Sequence, residues 1–190
     1  MKTLIIHPED KSTDFLAPIY ENIFPKTVIR KDTLDVEVRA EIKSHDQIIM
    51  LGHGTPSGLM NVSRIGTGAF SINHTHVDLL RDKHCIFIWC DADQFVQKHK
   101  LRGLFTGMFV SEDRELFFCK EGRPAEIDPS NSLFAETLGR CLVEHKADYQ
   151  SAFAGVDLSY GELARENKVA AYNHSRWYAR LSKDGNVYLK

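Results

Sequence analysis

Gln47-Ile48-Ile49-Met50-Leu51-Gly52-His53-Gly54 and Cys85-Ile86-Phe87-Ile88-Trp89-Cys90 are the two stretches that decide how this chain folds. Each begins as an unbroken apolar run of strand length and ends in a side chain capable of chemistry. Continuous apolar runs without polar alternation are the pattern of strands covered on both faces, as in parallel sheets flanked by helices. As neighbouring parallel strands they would deliver His53 and Cys90 to the same carboxyl edge. Open α/β sheets bind their ligands at that edge.

The flanking sequence fits this frame. Residues 4–6 predict a first strand, and 14–22 a short helix closed off by Pro25. Residues 27–30, rich in β-branched side chains, predict a second strand. Leu34, Val38 and Ile42 recur every fourth residue, which places them on one face of a helix over 34–43. Residues 55–72 are glycine-rich and read as loop or hairpin; Gly66-Thr67-Gly68 lacks a following Lys-Ser or Lys-Thr and reads as a turn. A helix is predicted over 75–82, and a strand over 104–110 that Gly107 weakens. Ser130-Asn131-Ser132 reads as the cap of a long helix reaching about His145, with Leu133, Phe134, Leu138, Leu142 and Val143 inward. Residues 160–166 are read as helical, and 169–181 show aromatic side chains without a clean period. Strands alternating with helices imply an α/β three-layer sandwich, a mostly parallel sheet with helices on both faces. No linker or repeat interrupts residues 1–190, so a single domain is expected.

Composition narrows the function classes. A net charge of -2, with basic residues not gathered into a stripe, gives no reason to expect nucleic acid. No apolar stretch approaches the roughly 20 residues of a membrane span. The run 4–6 is too short for the core of a signal peptide. The four cysteines are too scattered for a disulfide framework and form no CxxC pair, so no structural metal is expected. Cys85 and Cys141 read as inert core thiols. Free thiols without an export signal point to the cytoplasm.

His53 and Cys90 carry the chemistry. A thiol is only slightly ionised at neutral pH, and a histidine at the adjacent strand end can lower its pKa or take its proton as attack begins. The Gly54 N–H, unshielded by a side chain, is placed to meet a developing oxyanion, and the Cys90 N–H offers a second donor. Gly52 and Gly58 permit a sharp departure from the strand and close approach of a substrate backbone. His74 and His76, two residues apart, are weighed as metal ligands and read instead as part of a solvated loop. The charge run 111–115 reads as a solvated face or helix start. Phe117-Phe118 is expected to fill a core edge, unless a peptide-binding groove exposes it.

An apolar strand ending in His-Gly, a glycine soon after, and a later apolar strand ending in Cys resemble the caspase-like cysteine peptidases, over about residues 47–93. That group includes caspases, metacaspases, gingipains, clostripain and the CHAT domains. The resemblance implies a cofactor-free cysteine endopeptidase with His53 as general base and acid, Cys90 as nucleophile and Gly54 as oxyanion donor, acting on a peptide or protein substrate. Trp89 departs from the small residue usual before the cysteine, and Asp91 and Asp93 follow where small residues are common. The two carboxylates are assigned to substrate binding, with cleavage after a basic residue. The alternative is an inactive caspase-like binding scaffold.

Overall fold

The computed structural model describes residues 1–61, 70–182 and 187–188. The Gly66-Thr67-Gly68 turn lies outside the described residues. The main sheet contains β1 (Thr3–Ile6), β2 (Lys26–Ile29), β3 (Gln47–Leu51), β7 (His84–Ile88), β8 (Gly103–Thr106), β9 (Trp177–Arg180) and β10 (Val187–Tyr188). Between β3 and β7 the chain forms a small antiparallel sheet of β4 (Gly54–Thr55), β5 (Gly58–Met60) and β6 (Phe70–Asn73). The main sheet has the order β10-β9-β8-β7-β3-β1-β2. β2, β1, β3, β7 and β8 pair in parallel, whereas β9 runs antiparallel to β8 and β10 antiparallel to β9. The fold is therefore α/β with a mixed, mostly parallel sheet.

Side-chain alternation divides the core into two layers. Ile5, Ile49, Leu51, Ile86 and Ile88 face one cluster, while Leu4, Ile6, Ile48, Met50 and Phe87 face the other. The first layer is covered by α1 (Pro18–Glu21), α5 (Ile127–His145), α6 (Tyr149–Leu163) and α7 (Lys168–His174). The second is covered by α2 (Asp35–Ser44), α3 (Val77–Leu80) and α4 (Ala92–His99). All five residues of β3 are buried, which is why that strand shows no polar alternation.

Several boundaries differ from the sequence expectations. The helix expected over 14–22 is a 3-10 segment, Lys11–Leu16, followed by the short α1. The helix expected over 75–82 is a 3-10 turn, His74–His76, leading into α3. The strand expected over 104–110 ends at Thr106, and α5 begins at Ile127 rather than near residue 130. Ser130 and Asn131 cap nothing: both are buried inside α5, where Ser130 Oγ meets the Tyr160 hydroxyl and Asn131 Nδ2 donates to the Ser111 carbonyl. Val143 faces solvent rather than the core. Only the end of α6 was anticipated by the helix over 160–166. Residues 169–181 divide into α7 and β9. Phe117 and Phe118 meet ring to ring, centroids 3.9 Å apart and planes tilted by 35°, and are exposed rather than filling a core edge.

Trp89 explains the shape of the turn after β3. It is 2% exposed and packs edge-on against Phe87 and Phe95, while its Nε1 donates to the Thr55 carbonyl at 3.2 Å. A Cβ at residue 54 would overlap the indole ring, so the hairpin can close over Trp89 only with glycine there. Gly54→Ala should accordingly lower stability by about 2–3 kcal/mol, the upper range for overpacking a filled core. A fall in the urea midpoint at constant slope checks this; an unchanged midpoint would show that the hairpin does not depend on that contact.

Candidate functional site

The register between β3 and β7 brings the two reactive residues together. Leu51 pairs with Ile88, and Gly52 N donates to the Ile88 carbonyl at 3.0 Å. His53 and Cys90 each lie two residues beyond that pair, on the same edge. Both line one narrow cleft, together with Gly52, Thr13, Thr106 and Phe109. The cleft encloses about 20 Å³, room for about one water molecule.

His53 is held by the loop that follows β1. Its Nε2 lies 2.7 Å from Ser12 Oγ and 3.7 Å from Asp10 Oδ2. Asp10 Oδ1 accepts from both the Ser12 N–H, at 2.9 Å, and the Ser12 hydroxyl, at 2.7 Å. Ser12 has one hydroxyl proton, and the carboxylate takes it. The serine oxygen can then only accept from the ring, which places a proton on Nε2 and leaves the Nδ1 lone pair as the basic site. Burial alone would raise the Asp10 pKa, but the hydrogen bonds from Ser12 and the proximity of His53 overrule it and hold the carboxyl below its ordinary value. The loop therefore presents an ionised carboxylate, a serine bridge and an oriented imidazole in series.

His7 anchors this loop from beneath. It is fully buried, with Nδ1 3.1 Å from the Tyr20 hydroxyl and Nε2 3.1 Å from the Thr13 carbonyl. Sequence reasoning missed His7, Asp10 and Ser12. The available signal was their position: the polar run 7–12 follows β1 and so leaves the sheet at the same edge as His53. It also lies where the connections of β1 and β3 diverge to opposite sides, the switch point at which open sheets form crevices.

Cys90 is partly buried and donates to the Phe109 carbonyl, with Sγ 3.6 Å from the oxygen. Burial, followed by the charges of Glu115, Asp91 and Glu112, pushes its pKa up to about 11. The resting sulfur is thus a protonated thiol. The Phe109 segment is firmly seated: Val110 N–H donates to Asn173 Oδ1 at 2.7 Å, Asn173 Nδ2 returns a bond to the Val110 carbonyl at 2.8 Å, and Glu115 accepts from the Ser111 and Glu112 N–H groups.

The remaining predicted residues occupy distinct places. The His53 carbonyl accepts from Met60 N, and Gly54 stands opposite Leu59. Gly54 is thereby the non-hydrogen-bonded position of the β4–β5 ladder, with its N–H turned away from β5. Gly58, at φ +142°, lies in β5 where a Cβ would run into the Ile72 carbonyl, a structural demand of the hairpin. Asp91, in the left-handed region at φ +63°, precedes α4, and Asp93 lies in its first turn. Neither they nor Gly54 and Gly58 are among the residues lining the cleft, whereas Gly52 is. One Asp93 oxygen is buried without a hydrogen-bond partner, and burial together with Asp91 raises its pKa. His76 pairs with Asp35, Nε2 to Oδ1 3.0 Å, and no cluster of three metal-ligating side chains occurs among the described residues.

No family model and no curated protein matches the chain. Among solved structures it is similar to the Trp repressor binding protein from Bacillus subtilis, at 11% identity and a TM-score of 0.40 over 72% of this chain and 98% of that one. Among the described residues no helix is long and apolar enough to cross a membrane.

The loop anchor has a pH signature. Burial is the main cause that lowers the His7 pKa from 6.5 to about 4. Unfolded chains therefore bind a proton that the folded chain refuses between those values. The stability His7 contributes is complete above pH 6.5 and is lost as pH falls toward 4, by roughly 3 kcal/mol. Urea unfolding at a series of pH values should show this decline, and His7→Gln should flatten it; equal slopes in both proteins would contradict the assignment.

Proposed function

We propose that the chain is a caspase-like cysteine endopeptidase of the reducing cytoplasm, with Cys90 as nucleophile and His53 as general base and acid. The observation that carries this reading is the placement of His53 and Cys90 two residues beyond a paired strand end, on one cleft, with Nε2 of the imidazole tied to Ser12 and Asp10. The unpaired state of all four cysteines agrees with a reducing compartment.

The chemistry follows from the protonation states. The thiol is neutral at rest, so proton transfer accompanies attack. His53 Nδ1 takes the Cys90 proton as sulfur bonds to the scissile carbonyl carbon, and the charge moves onto the carbonyl oxygen. The N–H of Cys90, which lines the cleft, receives that oxyanion. Collapse of the tetrahedral intermediate expels the amine, which takes the proton from His53. Water, deprotonated by His53, then attacks the thioester carbon; the C–S bond breaks, the carboxylic acid leaves, and the proton on His53 passes to the Cys90 sulfur. Ser12 and Asp10 stabilise the imidazolium formed in each half-reaction, as an ionised carboxylate does for histidine elsewhere.

The charges near the cleft favour a cationic substrate side chain. Asp91 and Glu115 act on Cys90, Glu112 does so while paired with Arg114, and Asp10 stands beside His53. An Arg or Lys before the scissile bond would offset this field, whereas an acidic residue would add to it. The narrowness of the cleft and the raised thiol pKa favour a second reading, an inactive caspase-like scaffold that binds a peptide at the same edge.

A fluorogenic peptide panel with Arg, Lys, Asp or Asn at the cleavage position separates the two. The peptidase reading predicts turnover after Arg or Lys that Cys90→Ala abolishes. It also predicts that Ser12→Ala lowers kcat on the order of a hundredfold with little change in KM, because the base is misoriented while the peptide still binds. Peptide binding without turnover in the wild type would establish the scaffold instead.

A further inference from the structure

The opposite edge of the sheet holds a second cavity, about 340 Å³, remote from the His53/Cys90 cleft in every strand it touches. It lies where β7 and β8 begin and β9 ends, against the turn between α5 and α6. Lys83, Arg102 and Arg180 line it. None of the three has a carboxylate partner among the described residues. Lys83 Nζ donates to the carbonyls of Lys43 and His45, and Arg102 Nη2 reaches only the Arg81 carbonyl at 3.5 Å. Arg180 Nε is buried and has no hydrogen-bond partner among the described residues.

Two acidic residues share the lining, and their positions matter. Both Asp148 oxygens are engaged by Ser151, Oδ1 with its N–H at 3.1 Å and Oδ2 with its hydroxyl at 2.6 Å, so that carboxylate serves its own helix. Asp82 sits exposed at the rim. Among the described residues the guanidinium groups therefore have no carboxylate within ion-pair distance. A buried guanidinium N–H that nothing accepts is costly, and a planar fork of donors matches the tetrahedral oxygens of phosphate.

We propose that this cavity binds the phosphate group of a small phosphorylated molecule, with Arg102 and Arg180 as its charge partners. The volume suits a small ligand rather than a polymer. The net charge of -2 likewise gives nucleic acid no long-range attraction. Tyr149 and His84, edge-to-face at 5.8 Å, line the same cavity and offer ring surface to the organic part.

Isothermal titration of the full chain with inorganic phosphate, adenosine monophosphate and acetate tests the proposal. Phosphate should bind, and the monophosphate more tightly if the organic part contributes; acetate should bind at least about tenfold more weakly than either. R102Q and R180Q should each weaken binding by about tenfold or more. R180K keeps the charge but lacks the Nε donor, and it should lose binding nearly as far. Urea midpoints confirm that each variant is folded, and R102Q alone carries the test should the Arg180 variants fail to fold. Cys90→Ala should bind as the wild type does, which separates this site from the peptidase reading. Absence of heat with both phosphate probes, or glutamine variants that bind like wild type, overturns it.

Discussion

The parallel pairing of β3 with β7 is the constraint on which the rest of this structure depends. A one-residue slip between them would turn every core side chain to the opposite layer. Full burial on both faces forbids that slip, so Leu51 and Ile88 must lie side by side. The residues that follow are then delivered in step: glycine beside tryptophan, histidine beside cysteine. The site geometry is a consequence of strand register before it is a consequence of any loop.

Trp89 and Gly54 convert that register into a defined turn. The indole fills the layer beneath the hairpin and bonds the Thr55 carbonyl, which directs the chain after His53 across the sheet edge. Read from sequence, Trp89 was a departure from the small residue expected before a family nucleophile. In the structure it points into the core with Phe87 and Phe95 and leaves the Cys90 side chain facing the cleft. The departure is a matter of packing, and the glycine it requires is the same one whose N–H is turned out of the ladder.

The strands and the His53/Cys90 juxtaposition were legible because burial on two faces writes a continuous apolar run into the sequence. The long α6 was not. Its stretch 149–163 mixes small and apolar residues around the helix, since one side packs against α5 and another approaches β9, and no single stripe results. Ser130 and Asn131 imitated a helix cap because buried polar residues inside a helix have the same composition as a cap. Asp10 and Ser12 went unnoticed for a related reason. A serine and an aspartate in a loop have many uses, and only the fold shows that this loop meets His53. Asp91 and Asp93 were conspicuous beside Cys90 in sequence, yet the left-handed turn at Asp91 carries them into the start of α4.

The resting protein thus holds a thiol and an imidazole on one rim, with Ser12 and Asp10 bonded in series behind the imidazole. Covalent capture reads out that arrangement most directly. A peptidyl chloromethyl ketone carrying arginine, followed by intact mass and peptide mapping, should add a single inhibitor to Cys90 and leave Cys85, Cys119 and Cys141 unmodified. The same treatment of His53→Ala should leave the chain unlabelled. Labelling that spreads over the cysteines, or that proceeds as fast without His53, would contradict the claim that these two residues act together.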